Sequence, residues 1–473
     1  MSDRPKLSRA AVVESFSSVD LGDKRLHSRL VSIVEKLAAE PEKSFPQIFR
    51  DSSELEAFYR FVRNPRVTLD ELVSGHFAQT QARVRDAKLA LAIHDSTTLS
   101  FGDARVRRRQ GLGRINRKDQ GMLLHATLAV DAKAGVPLGA LDAHVWTRPD
   151  ATREELIGEL PRKKQRELPS EGDRWLAQAV RTQDANPDVS FVHVMDSEAD
   201  DYALLAYLSA CGLRYCVRLC KNRALSAADA EINLGDRLAR IEAACTREVE
   251  LSPRAYNPTT AHRTRHLTRE GRTASLSLGG IAVHLKRPSS IPESAKLPAE
   301  IAVNIVRVWE PDAPEGEVPV EWILATSEPI RDSEQMQSVV DIYRARWLIE
   351  EYFKALKTGC SYEARQLDSS HTLEAALGLF IPIASKLLAL RTLERTQPTA
   401  PATSVLSKAE ILVLRTEAPK RFPLNATVAD ALAAIAYIGG HIKNNGPPGW
   451  MVLARGYNDL AKLAAFAERA IEM

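Results

Sequence analysis

The chain has 473 residues, 44% of them hydrophobic and 26% charged, with a formal net charge of +3. That length exceeds what one core ordinarily supports, so about two to four globular domains are expected, and the composition excludes a disordered or fibrous chain. The small net charge does not by itself point to nucleic acid, yet the basic residues cluster, and local field outweighs the sum.

Cys211, Cys216, Cys220, Cys245 and Cys360 form no CxxC pair, which argues against a disulfide framework or zinc ribbon and fits a reducing cytoplasm. The N-terminus carries Asp3, Arg4 and Lys6 without an apolar core. The most apolar run, residues 375–390, is interrupted by Pro382 and Lys386, so neither a signal peptide nor a membrane span is expected.

Residues 1–85 read as helices: Leu30, Ile33, Val34 and Leu37 recur at helical spacing, and Thr68 with Glu71 predicts a capping box. Exposed arginines on such a module suit DNA and suit solubility equally. From Lys88 the pattern changes to strands. LALAIHDSTTLSF predicts a buried strand ending in Asp95, at the kind of strand end where α/β sheets place ligands. Residues 105–118 then carry Arg105, Arg107, Arg108, Arg109, Arg114, Arg117 and Lys118 with no acid, which predicts a phosphate contact. Residues 123–132 and 135–146 predict a hairpin.

A basic stretch, residues 162–166, precedes a helix around residues 175–181, and VSFVHVMDSEADDY supplies a second buried strand ending in Asp196. Glu198, Asp200 and Asp201 read as the acidic start of a helix running to Ala210. A short strand at residues 214–219 carries Arg218. Residues 225–318 interrupt the α/β pattern with short β-like runs and an Arg- and His-rich loop at residues 254–272, predicting an inserted β subdomain before the strand VEWILATS resumes the core. The last third reads as helical. Trp450, Leu453, Tyr457, Leu460 and Leu463 make a stripe that suits packing on its own domain first and a dimer interface second.

Residues 341–359, DIYRARWLIEEYFKALKTG, predict an amphipathic helix. Taking Tyr343 as zero at about 100° per residue, Arg346, Glu350, Lys354 and Lys357 share an arc of roughly 80°, while Ile342, Ala345, Ile349, Phe353 and Leu356 fall elsewhere. Asp332 or Ser333 can cap the start, with Gln335 completing a box, and Gly359 follows the last turn. Alone, this would be a solvated face. With Asp95 and Asp196 it completes three carboxylates beside cations, a donor set for Mg²⁺ or Mn²⁺ and for phosphodiester chemistry.

The spacing of Tyr343, Arg346, Glu350 and Lys357 resembles the signature of the Tn-five-type transposases, the insertion-sequence-four family of DDE transposases. LGDKRLHSRL, FYRFVRNP, HDSTTLSF, WTRPD, DSEAD and EWILATSEP continue the resemblance in order along nearly the whole chain. It implies an α/β fold: an RNase H-like catalytic core (residues 86–372) with an inserted β subdomain (about 225–318), between an N-terminal helical DNA-end-binding domain (1–85) and a C-terminal helical dimerisation domain (373–473). It also implies that Asp95, Asp196 and Glu350 are catalytic and bind Mg²⁺, with Mn²⁺ as a substitute. Tyr343, Arg346, Lys354 and Lys357 would contact DNA near the cleaved end, and Arg218 joins this set. Trp322 would stack a flipped base, and Arg29 and Arg60 would grip the transposon end. The implied activity is cut-and-paste transposition by nicking, hairpin formation and opening, and strand transfer, performed on double-stranded DNA by a cytoplasmic homodimer with no membrane. After Leu37 the chain departs from the pattern, with Glu40 and Pro41 where the family carries a basic and aromatic pair. A two-metal nuclease without strand transfer, or a non-catalytic DNA-binding descendant, would use many of the same residues.

Overall fold

The computed structural model describes residues 9–116, 118–148, 172–226, 233–251, 253, 269–442 and 448–472. The N-terminal helices include the Leu30–Leu37 run and the Thr68 start that the sequence predicts. Asp23 accepts the Arg25 amide at the start of Lys24–Ala39, Asp51 opens Ser52–Val62, and Thr68 accepts the Glu71 amide at the start of Leu69–Asp86. Each side chain satisfies amide groups that the first turn leaves without partners. Leu30, Ile33, Val34 and Leu37 are buried as one face.

Among the described residues, ten strands form one mixed sheet: β1 (Ala90–Asp103), β2 (Gly113–Arg114), β3 (Asp119–Asp131), β4 (Val136–Trp146), β5 (Phe191–Met195), β6 (Arg214–Leu219), β7 (Cys245–Leu251), β8 (Arg272–Lys286), β9 (Glu300–Trp309) and β10 (Glu321–Thr326). β3 runs antiparallel to β1 and β4, whereas β5 and β6 continue the sheet from β1 in parallel. The crossovers carry helices Asp173–Asp184 and Tyr202–Ala210, as parallel pairing requires.

Two expectations change. β1 does not stop at Asp95. Only its parallel pairing stops, at Ile93 with Val194, while its antiparallel pairing to β3 carries the strand on to Asp103. The β-like insertion, moreover, does not build a sheet of its own: β10 pairs with β6 on one edge and β9 on the other, and β8 and β7 extend the same sheet. Alternation along a strand reports which face is buried, not which edge it joins.

The helix Ser370–Thr396 passes through Pro382 without ending and is buried almost all round. It is long and apolar enough to cross a membrane, but 89% of its most apolar window is buried inside the fold, packed against Leu69–Asp86 and β4. Helices Lys408–Glu417, Val428–Ile438 and Trp450–Glu472 pack beyond it. Trp450, Leu453, Tyr457 and Leu460 face this protein's own interior, and Leu463 is 40% exposed.

Candidate active site

The end of the parallel ladder places two acids side by side. Asp95 and Asp196 each lie two residues past the last pair, Ile93 and Val194, so they follow the end of one ladder on neighbouring strands, close enough for Asp196 to push the Asp95 carboxyl up. Asp95 is buried at 9% exposure and accepts the Ser96 amide at 2.8 Å. Asp196 is half-buried, and its carboxylate caps the short turn Ser197–Ala199 through the Glu198 amide at 2.8 Å.

The third acid arrives on a segment less regular than one helix. Ser333–Arg344 is α-helical and capped by Asp332, though Gln335 reaches the Arg331 amide rather than closing a box. A tight turn at Ala345 and Arg346 follows, with i to i+3 bonds from Arg346 to Tyr343 and from Ile349 to Arg346. Trp347–Lys354 is α-helical again, and Ala355–Gly359 is a π-helical turn, a form often found at functional sites. Ile349, Phe353 and Leu356 are buried as predicted, and half-buried Glu350 faces the strand ends.

Arg346 joins the acids. Its Nη1 donates to Asp95 Oδ2 at 2.9 Å and its Nη2 to Glu350 Oε1 at 2.5 Å. Burial pushes the Asp95 carboxyl up to about 7; Asp196 and Glu350 push the same way, against Arg346 and the Ser96 amide. Burial opposes the Arg346 charge, but Tyr343, Asp95 and Glu350 outweigh it and hold the guanidinium firmly protonated. The pocket therefore holds an excess of negative charge, and Arg346 is the cation bonded to two of its acids.

The other predicted residues divide. Tyr343 is buried, its ring 5.5 Å from that of Trp322, with Arg218 and Arg346 as nearby cations. Burial raises its pKa, against Arg346 and Arg218. Trp322 is half-buried on β10. Lys357 reaches the Thr98 carbonyl on β1 at 2.6 Å and lies 3.9 Å from Glu363; burial lowers its pKa, which Glu363 opposes. Exposed Lys354 pairs with Glu351 at 2.8 Å and lies 5.0 Å from the Trp347 ring centroid, rather than pairing with one of the three acids. Arg29 and Arg60 are exposed on the N-terminal helices, Arg60 near Glu56 at 3.7 Å.

Sequence reading missed a second acid of consequence. Asp200 is not merely part of a helix start: it is buried, accepts the Cys220 and Lys221 amides at 2.8 Å each, and takes both Nε and Nη2 of buried Arg223. It ties the turn after Asp196 to the loop after β6, while Asp201 caps the following helix. The DSEADDY motif placed these acids near the site, but only burial separates their roles. The cationic loop also finds acids from elsewhere. Arg105 pairs with Asp103 and Arg107 with Asp368, and Arg109 is buried with its guanidinium 5.3 Å from the Phe101 ring centroid. Arg117, residues 162–166 and most of the loop at 254–272 lie outside the described residues.

The donor chemistry suits a hard divalent cation: three carboxylates with surplus negative charge. Among the described residues no three His, Cys, Asp or Glu side chains are grouped to hold an ion, and Arg346 bonds both Asp95 and Glu350.

A mixed sheet presenting acids and cations at its strand ends suits chemistry on phosphate esters. Comparison with protein families narrows this to DNA. Residues 8–67 match the family model described as Transposase DNA-binding, and residues 174–381 match that of the Transposase DDE domain. The second match takes in Asp196 and Glu350 and begins after Asp95. The chain is a DDE transposase, a metal-dependent enzyme that cleaves and transfers DNA, and its mixed sheet is the RNase H-like core that such a domain implies.

Proposed function

We propose that this transposase is of the Tn-five type and moves its element by cut and paste. Asp95, Asp196 and Glu350 are its catalytic acids and its ligands for Mg²⁺, which Mn²⁺ can replace. The observation that carries the reading is the convergence of Asp95 and Glu350, far apart in sequence, on one guanidinium, beside an Asp196 that follows the end of the same ladder as Asp95. Bound there, the metal would supply activation of the attacking oxygen and stabilisation of the leaving one. The chain's own cations do the remaining electrostatic work. Lys357 and Arg346 hold the phosphate oxygens of the cleaved end and offset charge that grows as the phosphorus is attacked, Lys354 assists on the exposed side, and Arg218 and Tyr343 fix the floor. Trp322 stacks a base drawn from the end, a contact worth about 1–3 kcal/mol.

Residues 1–85 form the end-binding domain, with Arg29 and Arg60 on backbone phosphates. Residues 86–372 form the catalytic core, with the β-rich addition at about 225–318, and residues 373–473 serve dimerisation in a synaptic homodimer in the cytoplasm. A nick at each end, a hairpin made by the freed 3′-hydroxyl, its reopening by water and joining to target follow in turn. The test is an assay on a duplex carrying the inverted repeats that flank the gene, with Mg²⁺. Nicked, hairpin and joined products are expected. Nicks without hairpins or joining would demote the chain to a nuclease, and undiminished cleavage by Glu350→Ala would end the assignment.

A further inference from the structure

Resting on the proposed metal site, we infer that Arg346 is a built-in stand-in for the catalytic cation, keeping the site closed to metal until a DNA phosphate draws the guanidinium away. Its two ends bond two different candidate ligands, Asp95 Oδ2 at 2.9 Å and Glu350 Oε1 at 2.5 Å, the oxygens a bridging ion would need. Its side chain is only 14% exposed, so this is no loose surface pair. The tight turn at Ala345 and Arg346 supplies the aim: it interrupts the helix just before Glu350, so that Arg346 points back over the strand ends.

An arginine bonded to two carboxylates is lured away by what binds arginine better still. Phosphodiester oxygens accept the same bidentate pair. A DNA backbone arriving over the pocket therefore does two things with one movement: it takes the guanidinium and uncovers the acids. Metal loading and substrate docking become linked, and linkage works in both directions. Without DNA, Arg346 occupies two of the three acids, which limits cleavage by a metal-loaded enzyme away from its substrate.

The experiment titrates Mn²⁺ into the full chain without DNA and reads free Mn²⁺ by electron paramagnetic resonance. Arg346→Ala should bind Mn²⁺ at least about tenfold more tightly than the unaltered chain, and Arg346→Gln should do the same, which guards against misfolding of one variant. Added methylguanidinium should compete with Mn²⁺ in Arg346→Ala. Arg344→Ala, which removes a cation whose near acid is Asp341 at 3.8 Å rather than any of the three, should change affinity less than about twofold. Equal affinity in the unaltered chain and Arg346→Ala, or equal gains from Arg344→Ala and Arg346→Ala, would overturn the inference. The underlying site is tested separately by adding Asp95→Asn to Arg346→Ala: loss of the tight binding leaves the site standing whatever becomes of the latch, whereas unchanged binding refutes the metal site itself.

Discussion

Glu350 and Glu351 are consecutive and face opposite ways. Glu350 bonds Arg346 over the strand ends, whereas Glu351, with its side chain 8% exposed, pairs with Lys354 at 2.8 Å and lies 3.8 Å from Arg391 of the long core helix. Helical geometry separates neighbours by about 100°, so one residue serves the pocket and the next the packing beneath it. Glu350→Gln should therefore lower cleavage of an end-bearing duplex by at least about a thousandfold at unchanged melting temperature. Glu351→Gln should lose about 1–3 kcal/mol of stability, as a buried network is left partly unpaired, and keep its cleavage at a permissive temperature. Cleavage assays beside thermal melts decide it, and the reverse pattern would reassign the third acid.

Asp200 and Arg223 form a pair with side chains 0% and 5% exposed. Removing one partner of such a pair strands the other charge, at a cost of about 3–5 kcal/mol. Asp200→Ala should lose that much in urea denaturation. Asp200→Asn combined with Arg223→Met should recover part of it, because the amide oxygen can still accept the Cys220 and Lys221 amides and no charge is orphaned. Comparable losses in the single and double variants would show that the pair does not act as a unit.

His76 makes stability depend on pH. It is buried between β4 and the long core helix, accepting the Ala140 amide at 3.2 Å beside Ser385, and burial, aided by Arg83, lowers its pKa to about 3. A histidine whose folded pKa is depressed binds its proton more readily when unfolded. Its stabilising share is complete above the ordinary value near 6.5 and is lost as pH falls, at about 1.4 kcal/mol per pH unit. Denaturation series between pH 7 and 4.5 should show a shallower acid loss for His76→Gln than for the unaltered chain. Identical slopes would mean the ring is not held neutral.

Arg29 and Arg60 are exposed, and the Arg60 contact with Glu56 at 3.7 Å on the surface carries little stability. Replacing either with Ala should leave the melting temperature in place. Each change should also reduce the slope of log affinity against log salt by about one for end-bearing DNA. A loss of affinity with no change in salt slope would remove that arginine from the backbone contacts.

Hydrophobic spacing, caps and turn residues are local, so helix starts at Thr68 and Asp332, the hairpin of β3 and β4, and the buried runs ahead of Asp95 and Asp196 were all legible in one dimension. Asp95 and Asp196 stood out after apolar runs and Glu350 on a polar helix face within the family signature, and the fold brings Asp95 and Glu350 onto one guanidinium. Which strand edges meet was not legible, because pairing is chosen by partners distant in sequence; hence the β-rich addition prolongs the core sheet instead of standing apart. Nor could the order of residues reveal that Arg107 finds Asp368, that Asp200 is locked onto Arg223, or that Arg346 spans Asp95 and Glu350. A charge's partner is whatever the fold brings within reach, and in a buried pocket that neighbour, more than the residue type, decides what the charge does.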